Sequence, residues 1–337
     1  MRNPSNNDRP VGVAVWGIGA HAVRSVLPAL SASPDVQLIG LCSRNGQTLA
    51  TQAAAHQCLA WSSPEPMLAS PAVDVVYLAS PTGLHCSQGQ QVLAQGKHLW
   101  CEKPLATRMA DAELLLGVAT ARGLSLAVVC GPCYHPHFAA VREQLDSHVL
   151  GDLRHIEAGF RFPHLAPDNF RYNPDQGGGA LLDVGFYLLS LVDDLIDEEL
   201  ESLECQLVTD SGYQVDTGGR ALMAFAGGAT AHLVWGYGYA YENHLTVTGS
   251  AASLVAEPFF SKPQSREPSV RLTDRQGRSQ TIAFDNPNQF VEMVAVFVRG
   301  LHDVDVQAQL IARARRSQLL IERARESDQR NAAVMVN

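Results

Sequence analysis

The sequence predicts two successive domains. A doubly wound α/β domain with a parallel sheet is expected over residues 1–132, and an α+β domain with a large, mostly antiparallel open sheet over residues 133–337. Three observations predict it. The length of 337 residues is that of two domains at roughly 150 residues each. The first part alternates short apolar runs with helical patterns, which predicts parallel strands joined by crossover helices. After about residue 150, strand-like runs follow one another with turn signals between them, such as Asp210-Ser-Gly212, Gly227-Gly228 and Asp274-Arg-Gln-Gly277, and no helices. That texture predicts antiparallel pairing.

Val11 to Trp16 is β-branched and apolar and reads as the first strand. A helical stretch follows from about Ala20 to Ser31, then a second run from Val36 to Cys42. Asp74 to Ala79 is the next strand, with a helix from about Leu84 to Gln95 and a short strand from Lys97 to Cys101. Thr107 starts a helix that runs to Arg122, where Gly123 is the stop signal, and Leu124 to Cys130 closes the series. Near-continuous apolar strands suit a sheet covered on both faces. In the second part, Leu153 to Phe162, Leu203 to Thr209, Gly219 to Phe225, Ala229 to Tyr239, His244 to Thr248, Val270 to Thr273 and Ser279 to Phe284 read as strands. One long helix interrupts them, from about Gly179 to Leu195, and helical patterns near Asn288 to Leu301 and Val306 to Arg325 finish the chain.

Composition bounds the function. The apolar share of 46% against 18% charged residues excludes a mainly disordered chain. The net charge of −9 argues against nucleic acid or an anionic membrane surface as partner, while leaving room for a local cationic pocket. The seven cysteines, Cys42, Cys58, Cys86, Cys101, Cys130, Cys133 and Cys205, sit mostly in apolar runs and read as reduced thiols of a cytoplasmic protein. The polar start of the chain is not a signal peptide, and no apolar run approaches the roughly 18 residues that span a bilayer.

Gly17-Ile-Gly19-Ala-His-Ala22 follows the first strand and opens a helix, the setting that a dinucleotide-binding glycine turn requires. The first Gly makes the turn, the second admits a pyrophosphate, and the small Ala22 lets helix and strand pack. The second strand ends in Ser43-Arg44, where an NAD-selective site usually places an acid. A hydroxyl and a guanidinium suit a 2′-phosphate, so NADP(H) is expected over NAD(H). A solvated arginine on a surface turn is the alternative.

Ser80-Pro-Thr-Gly-Leu-His85 and Lys97-His-Leu-Trp-Cys-Glu102-Lys103-Pro104-Leu105 lie at strand C-termini, where doubly wound folds bind ligands. Read alone, Lys103 is a surface lysine before a helix. Together, GIGAHA, SPTGLH, GKHLWCEKPL and GGGALLDVGFY resemble the Gfo/Idh/MocA family of sugar and inositol oxidoreductases over nearly the whole chain. The resemblance implies a nicotinamide-binding Rossmann domain, a catalytic role for Lys103, a place in the cofactor region for Glu102, with Ser80 and His85 beside it, and a Lys–Pro bond that is often cis. The open sheet expected in the second domain suggests association through its outer face, as a homodimer or homotetramer.

Asp183 and Tyr187 are four residues apart in the helix after Gly177-Gly-Gly, so they share a face. An Asp inside an apolar helix is costly unless satisfied, which makes Asp183 a functional candidate; the alternative is a bond to the glycine-turn backbone. Much of the family carries histidine where this chain has Tyr187. Tyrosine resembles a subset that includes glucose–fructose oxidoreductase, dihydrodiol and xylose dehydrogenases and nucleotide-sugar ketoreductases, and in that subset it moves the proton. A phenol pKa near 10 is high for that work, and a lysine ammonium lowers it, so Lys103 with Tyr187 is chemically coherent. Arg171, in the loop before the glycine run, reads either as a substrate phosphate or carboxylate contact or as a solvated arginine. Cys133 stands where many members carry arginine.

The expected reaction is hydride exchange between NADP(H) and a secondary alcohol or ketone on a sugar or nucleotide-linked sugar. Lys103, Tyr187 and Asp183 are its catalytic set; no metal is expected. Two rivals belong to other classes. Cys130-Gly-Pro-Cys133 after a strand is a thioredoxin-like redox signature, and a non-catalytic nucleotide-binding sensor would keep the glycine turn without the chemistry.

Overall fold

The computed structural model describes residues 9–262 and 265–336. They form two compact units. The first holds the chain up to Leu105 with Ala110–Val129 and Phe290–Ala314, and the second holds Ala106–Met109, Cys130–Gln289 and the chain from Arg315.

In the first unit six parallel strands, β1 (Val11–Trp16), β2 (Val36–Cys42), β3 (Leu59–Trp61), β4 (Val75–Leu78), β5 (His98–Cys101) and β6 (Leu126–Val128), lie in the order β3-β2-β1-β4-β5-β6. The helices between them are α1 (Leu27–Ala32), α2 (Gly46–Ala55), α3 (Pro64–Ala69), α4 (His85–Ala94) and α5 (Met109–Arg122). All four side chains of β4 are fully buried, as its unbroken apolar sequence requires of a strand covered on both faces. Burying each such side chain contributes about 1.5–3 kcal/mol. The strand order reverses between β1 and β4, and at this switch point a doubly wound sheet leaves a crevice beyond the strand C-termini. The expected strands are present. β3, which the apolar pattern did not mark, is three residues long with Leu59 55% exposed, so it has no run to read.

In the second unit α6 (Pro136–Asp146) precedes β7 (Leu153–Phe162), and α7 (Phe186–Leu195) lies between β7 and β8 (Leu200–Val208). β9 (Gly218–Phe225), β10 (Thr230–Tyr237), β11 (Glu242–Gly249), β12 (Ala252–Glu257), β13 (Ser269–Asp274), β14 (Ser279–Ile282) and β15 (Val334–Met335) complete it. The nine strands run β14-β13-β12-β11-β7-β10-β9-β8-β15, antiparallel except where β7 pairs β10. Ala231, Leu233, Trp235 and Tyr237 of β10 are buried on one face, while Thr230, His232 and Val234 on the other are exposed or half-buried. α8 (Gln289–Arg299) and α9 (Val304–Arg330) end the helical series. Among the described residues no helix is long and apolar enough to cross a membrane.

Candidate active site

In the first unit β1 runs into Gly17, whose φ is +101° and whose N–H donates to Cys42 O at 2.9 Å. A Cβ at Gly17 would lie 2.7 Å from the Ala79 carbonyl carbon and 2.8 Å from Ser80 N, so the turn admits only glycine. At Gly19 nothing lies within 4 Å of the Cβ position. The helix starts there, with unpaired N–H groups and the positive end of its dipole beside that open space. Ala22 is 1% exposed and packs the helix onto the sheet. This geometry fits a pyrophosphate.

β2 delivers Ser43 and Arg44. Ser43 N–H donates to Trp61 O (3.1 Å), and its Oγ accepts from Asn45 N (3.2 Å). Arg44 is exposed, with no carboxylate beside it in Ser43-Arg44-Asn45.

The C-terminal ends of β4 and β5 are tied together. Ser80 Oγ donates to Gln88 Oε1 at 2.6 Å. His85 is fully buried, with Nε2 2.8 Å from Ser80 O and Nδ1 2.9 Å from Pro104 O. Both neighbours are acceptors, and a neutral imidazole donates to only one. Burial holds its pKa below the usual histidine range, against the pull of those carbonyls. The ring thus links the loop after β4 to the cis Lys103–Pro104 bond. Glu102 N–H donates to Leu78 O (2.9 Å), and Glu102 Oε1 accepts from Tyr77 OH (2.8 Å) and lies 3.5 Å from His21 Nε2. Burial would raise this carboxyl, but the His21 imidazole, the Tyr77 hydroxyl and the Lys103 ammonium outweigh it and hold it below the usual range. Lys103 follows, partly exposed. Tyr77 and His21 were not singled out from sequence. His21 was visible inside the glycine turn, but its carboxylate lies across the sheet.

In the second unit the glycine run is a folded knot of backbone bonds. Gly178 N–H donates to Asn173 O (3.0 Å) and Gly179 N–H to Arg171 O (2.9 Å). Gly179 has φ +118°, and a Cβ there would meet Asp216 Oδ1 at 2.4 Å. Asp216 accepts from both N–H groups at the start of the next helix, from Ala180 with its carbonyl (2.8 Å) and from Leu181 with Oδ2 (2.6 Å). Burial pushes the Asp216 carboxyl up to about 6, despite the bond from Leu181. The expected long helix opens with a π-helical turn, Leu181–Gly185, and continues as α7. The first unit has a like feature at Ala22–Val26, also directly after its glycine turn. Such turns are frequent at functional sites.

From Gly179 to Val192, Asp183 and Tyr187 are the two residues not buried. The Arg171 guanidinium donates through Nε to Asp183 Oδ2 at 2.6 Å, and Tyr237 OH donates to the same oxygen at 3.1 Å. Asp183 holds the Arg171 guanidinium firmly charged. Burial, and then the Asp183 charge, push the Tyr237 phenol well above its ordinary value. Tyr187 packs edge-on against Phe186 (5.6 Å) and near Phe160 (6.3 Å). The structure therefore pairs Arg171, expected to face a substrate anion, with Asp183, expected to orient a hydroxyl. Tyr237 and Asp216 were missed from sequence. Tyr237 lies inside the expected strand Ala229 to Tyr239 and Asp216 between the expected strands Leu203 to Thr209 and Gly219 to Phe225, and neither has a local signal. Among the described residues no group of three or more His, Cys, Asp or Glu side chains is placed to hold a metal.

Comparison with known proteins adds to this geometry. Residues 11–130 match the oxidoreductase family described as GFO/IDH/MocA, NAD-binding Rossmann fold, and residues 138–255 match the GFO/IDH/MocA C-terminal domain. The chain is similar to the dTDP-3,4-didehydro-2,6-dideoxy-alpha-D-glucose 3-reductase of Streptomyces violaceoruber, 35% identical over 86% of each chain. It is 32% identical to the enzyme of the same description from Actinomadura kijaniata, over 89% of this chain and 90% of that one. A crystal structure of a 3-ketoreductase from Actinomadura kijaniata in complex with NADP and TDP-benzene superposes with a TM-score of 0.88 at 30% identity, covering 95% of this chain and 98% of that one.

Proposed function

The chain belongs to the GFO/IDH/MocA oxidoreductase family, and from that premise we propose that it is an NADP(H)-dependent ketoreductase acting on a nucleotide-linked deoxysugar. The single observation that carries the chemistry is the exposure pattern after the second glycine motif, in which only Asp183 and Tyr187 are not buried between Gly179 and Val192. The substrate class is supported by likeness to the dTDP-sugar 3-reductases.

Gly17, Gly19 and Ala22 would hold the pyrophosphate, and Ser43 and Arg44 the 2′-phosphate. Ser80 shapes the crevice wall. Glu102 and His85 act as positioning residues: His85 is fully buried between two carbonyls, and Glu102 is fixed by Tyr77. NADPH, when held there, would supply the hydride. Tyr187 gives its phenolic proton to the carbonyl oxygen in reduction and takes it back in oxidation. Lys103 stabilises negative charge as it develops on that oxygen and favours the phenolate afterwards. Asp183, itself held by Arg171 and Tyr237, orients the substrate hydroxyl. The family match over both parts of the chain does not favour thiol exchange as the principal activity. We further infer self-association through the half-open face of the nine-stranded sheet, where Leu222 is 52% and Val208 44% exposed.

The test is a side-by-side titration with NADPH and NADH, followed by NADPH oxidation with a dTDP-linked 3-keto-deoxysugar and with free aldoses. Tighter NADPH binding and turnover of the nucleotide-linked ketone are expected. Tighter NADH binding overturns the cofactor reading, and turnover of free sugars alone overturns the substrate reading.

A further inference from the structure

We propose that Cys130 and Cys133 form a site of reversible thiol oxidation, in which a hydroperoxide converts them to an intramolecular disulfide and a dithiol reductant restores them. The site concerns a modification of the chain and is independent of the ketoreductase reading.

Cys130-Gly-Pro-Cys133 is wound into a 3₁₀ turn, Gly131–Tyr134, capped by Cys130. Cys133 N–H donates to Cys130 O at 3.0 Å, which folds the two residues onto each other. Their sulfurs lie 2.9 Å apart, with no disulfide between them. An S–S bond is about 2.05 Å long, so bond formation needs the two sulfurs to approach by only about 0.9 Å. The two thiols also differ in access. Cys130 is 4% exposed, and Cys133 is partly open. An oxidant in solution meets Cys133 first, and the buried Cys130 is its resolving partner. That is the arrangement of oxidant-sensing cysteine pairs.

The chemistry closes in two steps. The Cys133 thiolate attacks one oxygen of the peroxide; an S–O bond forms, the O–O bond breaks, and the other oxygen leaves as water or alcohol with a proton from the medium. The Cys130 thiolate then attacks the Cys133 sulfur; the S–S bond forms, the S–O bond breaks, and the hydroxyl leaves as water. The thiol pair loses two electrons and the peroxide gains them. Burial pushes the Cys42 thiol up to about 11 and raises those of Cys58, Cys101 and Cys205, so little thiolate is present on them at neutral pH. Cys86, also partly exposed, is engaged by Gln90 Nε2 at 3.3 Å.

The test exposes the full-length protein to a few equivalents of hydrogen peroxide, blocks free thiols with an alkylating agent and maps the tryptic peptide of residues 123–142, which holds both cysteines. The expected peptide is two hydrogens lighter and unalkylated, thiol titration of the denatured protein falls by two from the seven cysteines, and dithiothreitol reverses both changes. Cys133→Ser keeps all its remaining thiols under the same exposure. A wild-type peptide that still takes up two alkylating groups overturns the proposal. So does one in which Cys133 is found as sulfinic acid with Cys130 free. Mapping the wild-type peptide needs no variant to fold.

Discussion

The Nε of Arg171 and the Oδ2 of Asp183, twelve residues apart in the chain, meet at 2.6 Å across the folded glycine run. The Tyr237 hydroxyl reaches the same oxygen at 3.1 Å. The pair therefore fixes the carboxylate on the first turn of the helix that carries Tyr187. Removing the arginine takes the charged donor away from a half-buried carboxylate. Arg171→Ala is expected to lower the unfolding free energy by about 1–3 kcal/mol, read by urea denaturation, with NADPH affinity unchanged. A loss within the ordinary surface range of about 0.5 kcal/mol would show that the ion pair holds nothing in place.

Lys103 and Tyr187 are proposed to stabilise charge and move the proton at the reacting oxygen. Lys103→Ala and Tyr187→Phe should each cut kcat by about 10²–10⁴, the usual range for a positioned acid or base. NADPH binding by fluorescence and the thermal transition should stay at the wild-type values. Near-normal turnover in either variant removes that residue from the mechanism.

Arg44 is exposed two residues beyond the end of β2. A charge-assisted contact to a 2′-phosphate is worth about 1.5–3 kcal/mol, so Arg44→Ala should weaken NADPH binding about 10- to 100-fold. NADH, which has a hydroxyl there, should bind as before. Equal weakening of both cofactors would place Arg44 on a shared part of the dinucleotide.

How much of this was legible in the sequence depended on the range of each interaction. β1 and β4 announce themselves because every residue is apolar, and the glycine turn because Gly17 has neither the φ nor the room for a side chain. β7 was read to the residue, since Gly151-Asp152 before it and Pro163 after it end the pattern. β12 was missed: it follows the Gly249-Ser250-Ala251 turn directly. The π-helical turns were invisible, because a hydrophobic pattern of so few residues does not separate that period from the α-helical one. Asp183 was identified because a carboxylate in an apolar helix needs a reason. Its partner Tyr237 lies 54 positions away and Asp216 lies 35 from the amide that it accepts, and no local spacing encodes either bond.

Gly179 stands against Asp216 with φ +118°, and its missing Cβ would overlap Oδ1 at 2.4 Å. Gly179→Ala combines left-handed strain of roughly 1–2 kcal/mol with a clash that displaces the carboxylate from Leu181 N–H. The expected result is a lower transition temperature together with reduced kcat, because the displaced helix carries both Asp183 and Tyr187. Loss of stability with full kcat would mean that the helix start does not position those side chains.

Asp216 itself makes stability depend on pH with a sign opposite to that of most carboxylates. Burial raises its pKa from 3.8 to about 6 in the folded chain, so the native state holds a proton there that the unfolded state releases. The stabilisation is fully present below about pH 4 and is lost as pH rises through about 6. Its size is on the order of 1–3 kcal/mol, from about 1.4 kcal/mol per pH unit over the shift. Asp216→Asn keeps an acceptor for Leu181 N–H and has no proton to gain. Wild type minus variant stability, measured by urea unfolding, should therefore be larger at pH 4.5 than at pH 7. Depressed carboxylates such as Glu102 and Asp274 act in the other direction but cancel in that difference. A difference that does not change with pH would mean that Leu181 N–H holds Asp216 ionised throughout, and that the helix carrying Asp183 and Tyr187 is capped by a permanent charge.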